Sequence, residues 1–183
     1  MKKLNWKDIL VSAAALTVIA GVTTAALAGT NALTADTIHE RARAAEDQAR
    51  RRVLIADEYV EKTVSADGAE TVYHEALRGG AVVGYVFTAE AAGKSSGMVV
   101  MTGIRANGTI TGVVVTEDNE TAGYLQKVEK GGLMTAFRDR EADEFKLGED
   151  VDAVSNATKT SKGVVSGVNQ AVACYRLIKA NAG

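Results

Sequence analysis

The chain has 183 residues, a net charge of −2, one cysteine, two histidines and no proline. That length allows one ordinary domain with an appendage, and the charge gives no basic surface for nucleic acid, so no nucleic-acid partner is expected. The single Cys174 and the distant His39 and His74 exclude an internal disulfide framework, a Cys-rich zinc site and an all-cysteine iron–sulfur cluster; no metal site is expected.

From Ile9 to Ala35 the chain carries no charge. A bilayer core of roughly 30 Å takes about 20 helical residues, so the run reads as a transmembrane helix over 9–33. Lys2, Lys3 and Lys7 precede it, which predicts a cytoplasmic tail (1–8) and a remainder on the extracytoplasmic side of the cell membrane. The five arginines between Arg41 and Arg52 pull against that orientation. A cleaved signal peptide ending near Ala26-Leu27-Ala28 is the alternative, but the uncharged run exceeds the usual signal core. Gly21, Ala25 and Gly29, spaced by four, predict a face that packs on another membrane helix.

A polar stalk helix is expected over 34–57, with a narrow stripe of Ile38, Ala42, Ala45, Ala49 and Val53. The remainder, 58–183, reads as one domain. Glu70–Leu77 and Ala81–Thr88 flank Arg78-Gly79-Gly80 as a hairpin. Gly97–Ile104 and Thr109–Thr116 flank a turn with Asn107-Gly108 as a second hairpin. Gly123–Asp139 suggests one or two short helices. A last helix is predicted over Thr160–Ala180, its face of Val164, Val168, Ala171, Val172, Tyr175 and Ile178 covering the sheet. The predicted class is α+β: one transmembrane helix, then a single domain with an antiparallel sheet covered by helices.

Ahead of the last helix, Ser155, Thr158, Thr160 and Ser161 put four hydroxyls in seven residues. One would suffice as a cap. Hydroxyls beside the free N–H groups of a helix start can also cradle a phosphate. Neither a Gly-x-x-x-x-Gly-Lys loop nor a Gly-x-Gly-x-x-Gly fingerprint after a predicted strand is present, so neither a P-loop nucleotide site nor a Rossmann NAD site is indicated.

The run Asp152-Ala153-Val154-Ser155-Asn156-Ala157-Thr158 resembles the Asp-x-x-(Ser/Thr)-Gly-Ala-Thr signature of FMN-binding domains flavinylated on threonine. The resemblance implies that Thr158 carries FMN as a covalent phosphoester, attached by a dedicated flavin transferase. It also implies that Ser155, Asn156, Ala157, Thr160, Ser161 and Lys162 surround the attachment point. Asn156 stands where the family has Gly, and Asn tolerates a left-handed backbone better than most residues. The stretch Asn107–Val128 is similar to the family's strand and Glu-Thr-Pro-Gly loop, with Ala122 in place of Pro. By that likeness Glu120, Thr121, Gly123, Tyr124 and Leu125 flank the flavin ring, and Lys94, Ser95 and Ser96 lie in a Gly-rich turn near it. With its N-terminal helix the chain most resembles the G subunits of Rnf membrane complexes, relatives of the C subunit of the sodium-pumping NADH:quinone reductase. The implied role is an electron-carrying subunit of an ion-translocating ferredoxin:NAD oxidoreductase, inactive alone and partnered by the other Rnf subunits. A quinone-reductase subunit, a standalone FMN relay and a flavin-free anchored binding domain remain alternatives.

Overall fold

The computed structural model describes residues 6–66, 69–94, 97–118 and 123–181. It divides into two compact units, 1–45 and 46–183. The first belongs to helix α1, Trp6–Val53, whose last turns lie in the second unit. Alanine is the best helix former and no proline interrupts the run. Among the described residues, one segment is long and apolar enough to cross a membrane, Ile9–Asn31, with mean hydropathy 2.0. Inside it Thr17, Thr23 and Thr30 donate their hydroxyls to the carbonyls of Ala13, Ile19 and Ala26 at 2.8–2.9 Å. Each of these hydroxyls is thus satisfied within the helix, as hydrocarbon surroundings require. Gly21 and Gly29 have open space around them.

The second unit is built on a five-stranded antiparallel meander in the order β1-β2-β3-β4-β5. The strands are β1 (Glu58–Ala66), β2 (Ala69–Arg78), β3 (Ala81–Ala92), β4 (Gly97–Arg105) and β5 (Ile110–Asp118). Gly79 and Gly80, with φ of 58° and 80°, make the β2–β3 turn, since both central positions of this turn need positive φ. Two short helices follow, α2 (Tyr124–Lys130) and α3 (Leu133–Ala136), and the chain ends in α4 (Thr158–Asn181). The expected α+β class, with its antiparallel sheet and covering helices, is the fold observed. The strand β1 is additional to the two hairpins read from sequence, and α1 stops at Val53 rather than 57.

The sheet is covered on both faces. On one, the predicted stripe of α4 is buried against Tyr73, Phe87, Met98, Val100 and Ile104. Gly163 and Gly167 let this helix come close: a Cβ on Gly163 would lie 2.8 Å from the Ala92 carbonyl, and one on Gly167 2.6 Å from the Val100 Cβ. On the other face, Ala49, Val53, Leu54 and Ala56 pack on Ala76, Val86 and Met101. Val53 sits over neighbouring glycines of β4 and β5, and its carbonyl accepts a hydrogen bond from the Thr111 hydroxyl. That contact explains where the helix ends, in the absence of a helix-breaking residue.

The connection from α3 to α4 has little regular structure and is fixed from a distance. Asn169 of α4 accepts from the Phe145 N–H and donates to the Phe145 carbonyl, both at 2.9 Å. Phe145 meets Phe137 edge-on with ring centroids 5.1 Å apart. The chain is thereby delivered to the start of α4, where the hydroxyl cluster lies.

Candidate functional site

Just before α4 the chain makes a tight turn. Asn156 sits at φ 60°, in the left-handed region. The Ala157 N–H donates to the Val154 carbonyl at 3.0 Å. Ser161 reaches back from the first turn of the helix: its hydroxyl accepts from the Val154 N–H at 3.2 Å and donates to the Ala157 carbonyl at 3.0 Å. The four hydroxyls therefore differ in placement. Ser161 and Thr160 are fully buried, while Ser155 and Thr158 are exposed. Ser161 holds the turn together, and Thr158 is presented at the helix start.

Thr158 lines a cleft of about 200 Å³ together with Lys94, Tyr124, Asn156, Ala157, Lys159 and Thr160. Lys94 comes from the turn after β3 and Tyr124 opens α2, so three parts of the chain meet here. The Lys94 ammonium donates to the Tyr124 hydroxyl and lies 3.9 Å from the ring centroid, with Lys127 on the same ring at 5.0 Å. The hydrogen bond from Lys94, and then its charge, draw the Tyr124 phenol below its ordinary pKa.

Among the described residues the lining of the cleft carries two lysines and no carboxylate. The first turn of α4 holds no acidic residue, and Lys159 lies within it. A lysine there opposes the positive end of the helix dipole, and an anion alongside would offset that. Lys159, Lys94 and the start of α4 line the same cleft as Thr158. The volume suits a phosphate and the chain attached to it. Sites that enclose a whole ligand run to roughly 300–1,000 Å³, so the described walls hold one end of a larger molecule.

Of the residues singled out from sequence, Lys94, Tyr124, Asn156, Ala157, Thr158 and Thr160 meet in this cleft. Ser155, Ser161, Lys162, Gly123 and Leu125 are outside its lining; Gly123 serves as the left-handed cap of α2, φ 89°, and Leu125 is buried. Ser95, Ser96, Glu120 and Thr121 lie outside the described residues. Lys159 was not among the sequence candidates, although a lysine at the start of a helix was the available signal.

The FMN-binding domain family matches residues 93–173, a segment that contains every wall of the cleft. The N-terminal region of RnfG matches residues 1–53, a stretch that contains α1. The fold is similar to that in the crystal structure of Shewanella oneidensis NqrC, with a TM-score of 0.52 and 19% identity over 74% of each chain. The second unit is thus an FMN-binding domain, preceded by a helix apolar enough to cross a membrane. Across its length the chain is 33% identical to the G subunit of the Na(+)-translocating ferredoxin:NAD(+) oxidoreductase complex of Acetobacterium woodii, covering 95% of both. It is 28% identical to the proton-translocating counterpart of Clostridium ljungdahlii, over 66% of this chain and 67% of that one. The chain belongs to the family of Rnf complex G subunits.

Proposed function

We propose that this chain is the membrane-anchored flavoprotein electron-transfer subunit of an ion-translocating ferredoxin:NAD oxidoreductase complex, with FMN joined covalently through its phosphate to Thr158. The observation that carries this reading is the exposed Thr158 hydroxyl at the start of α4, in a cleft walled by Lys94 and Lys159. Its relatives in Acetobacterium woodii and Clostridium ljungdahlii, G subunits of such complexes, supply the rest. Bound FMN supplies one- and two-electron redox chemistry. The chain's own residues would set its position: the turn held by Ser161 fixes Thr158, Lys94, Lys159 and the helix start would balance the phosphate charge, and Tyr124 lines the same cleft. Attachment through the phosphate leaves the ring unmodified and prevents loss of the flavin from a domain outside the cytoplasm, where a flavin transferase would load it.

Lys2, Lys3 and Lys7 before the apolar run support a cytoplasmic N-terminus and an extracytoplasmic domain. Protease shaving of spheroplasts checks this: the domain is cut with the membrane intact, and protection beside a cleaved external control reverses the orientation. The test of the function is intact mass and in-gel fluorescence of the chain purified from its own host. The unaltered chain carries the mass of an FMN phosphoester and fluoresces after denaturation; Thr158→Ala does neither. A Thr158→Ala chain that still fluoresced would move the bond elsewhere, with Thr160 the next hydroxyl.

A further inference from the structure

A second pocket shares no wall with the flavin cleft. Its volume is about 420 Å³, and four arginines line it: Arg52 at the end of α1, Arg78 at the end of β2, Arg105 at the end of β4 and Arg138 after α3. Only Asp139 opposes them in the lining, with its carboxylate 3.7 Å from Arg105. Two of the four are braced by carbonyls: Arg78 donates to Ile55 at 2.7 Å and Arg138 Nε to Thr111 at 3.2 Å. Bracing holds these guanidinium groups in place and leaves further donors on each. Four positive charges in one concavity repel one another and focus a positive field. Such a group attracts anionic oxygens, and guanidinium forks match carboxylates in pairs.

The pocket also has an apolar wall. Ile55 lines it yet is 70% exposed. Arginine is enriched at the centres of protein–protein contacts, and Ile55 adds apolar surface beside it. A small free anion would neutralise charge but would leave Ile55 bare, and 420 Å³ exceeds what one oxyanion fills. The concave shape and the carboxylate of Asp139 in the lining disfavour a flat anionic bilayer.

We infer that this pocket is the docking site for an acidic segment of another subunit, whose carboxylates pair with Arg52, Arg78, Arg105 and Arg138 and whose backbone covers Ile55. The inference rests on the subunit reading of the chain's function. It places the flavin cleft and the assembly contact at separate positions on the domain, so that docking leaves Thr158 and its surroundings untouched.

The test uses the whole complex, isolated through a tag on a different subunit. Arg52→Glu with Arg105→Glu leaves the two braced arginines in place and reverses charge at two points of the pocket. Recovery of this chain with the tagged subunit falls at least about tenfold, recovery of the unaltered chain falls with rising salt, and flavin fluorescence at Thr158 is unchanged. Ile55→Ser lowers recovery with less dependence on salt, and Lys62→Glu, on the edge strand, leaves it intact. Equal recovery of the Arg52/Arg105 variant and the unaltered chain overturns the docking site while the subunit reading stands. Failure of the unaltered chain to come with the tagged subunit removes both. A melting midpoint of the full chain in detergent that rises with inorganic phosphate or phosphatidylglycerol at matched ionic strength, only while Arg52 and Arg105 are present and with subunit recovery unaffected by their reversal, makes this a small-anion or lipid site and likewise overturns the proposal.

Discussion

Gly103 and Gly112 face each other across β4 and β5, and the last residue of α1, Val53, lies against both. A Cβ built on Gly103 would stand 2.5 Å from the Val53 carbonyl oxygen and 2.7 Å from the Thr111 hydroxyl; one on Gly112 would stand 3.1 Å from the Val53 Cα. Paired glycines are weak strand formers. Here they open the space in which the end of a helix rests directly on a sheet, and the Thr111 hydroxyl uses that closeness to bond the Val53 carbonyl.

Gly103→Ala should therefore act as an overpacking change against backbone, which cannot swing aside as a side chain does. A loss of about 1–3 kcal/mol is expected, with Gly112→Ala at the low end. Urea unfolding of the full chain in detergent measures it. Stability of Gly103→Ala equal to that of the unaltered chain would mean that the end of α1 does not sit on this sheet face.

The turn before α4 makes a second prediction. Asn156 occupies φ 60° without being glycine. Asn156→Gly should load flavin as well or better, because Gly reaches that conformation with less strain. Asn156→Val should lose loading, since a β-branched residue there costs on the order of 1–3 kcal/mol. Ser161→Ala removes the acceptor of the Val154 N–H and should cost about 1–3 kcal/mol. Intact mass gives the loaded fraction for each, and equal loading of the Gly and Val variants would exclude any role for the turn.

Much of this architecture is legible in sequence, and the parts that are not share a cause. The hairpins announce themselves through Gly79-Gly80 and Asn107-Gly108, and α4 through six apolar residues on one face. Those are local signals. Strand β1 sits at the edge of the sheet and carries Glu58, Glu61 and Lys62, so it lacks the alternation of a half-buried strand; edge strands use such charges to resist pairing with other chains. Strand β4 is buried on both faces and reads as a continuous buried run, apolar but for Thr102. The segment from Phe137 to Val154 takes its form from Asn169, more than one helical turn into α4. In the flavin cleft, the signature around Thr158 is contiguous and readable, whereas the meeting of Lys94, Tyr124 and Lys159 depends on the fold. The arginine pocket is the extreme case, with contributors running from Arg52 to Arg138.

The Lys94–Tyr124 contact should be visible by titration. The phenol is drawn down by the hydrogen bond from Lys94 and by its charge, so phenolate forms at lower pH than in free tyrosine. Any stability linked to that shift is present above the unfolded pKa of about 10 and is lost as pH falls through the lowered folded value. Ultraviolet difference titration of the unaltered chain against Tyr124→Phe isolates this group, and Lys94→Met should return its midpoint toward the ordinary value. An unmoved midpoint in Lys94→Met would show that the ammonium does not reach the phenol in solution.

His74, on β2, faces the last turns of α1. Burial comes first in lowering its pKa, followed by the charge of Arg50, against the opposite pull of Glu46, Glu61 and Asp47. The folded state therefore binds its proton less readily than the unfolded chain. The stability linked to a neutral His74 is complete above pH about 6.5 and declines as pH falls through the lowered folded value. His74→Gln should flatten the dependence of stability on pH between about 7 and 5. Denaturant midpoints across that range test it; parallel curves for the two chains would assign the acid sensitivity to other groups.

The last prediction separates a relay from an oxidoreductase acting by itself. A Rossmann-type dinucleotide site lies at the carboxyl ends of parallel strands, where a Gly-rich turn leads into a helix. The described strands here form one antiparallel meander, and the start of α4 in the cleft is occupied by the Thr158 turn. Direct hydride exchange would also require NADH to lay its nicotinamide on the flavin ring. The purified, flavin-loaded chain should therefore bleach with dithionite and recover in air, while NADH leaves its visible spectrum unchanged. In membranes holding the whole complex, the same flavin should be reduced by the complex's own electron donor, and Thr158→Ala should abolish electron flow through the complex. Rapid bleaching of the isolated chain by NADH would overturn the relay reading and make the domain a reductase in its own right.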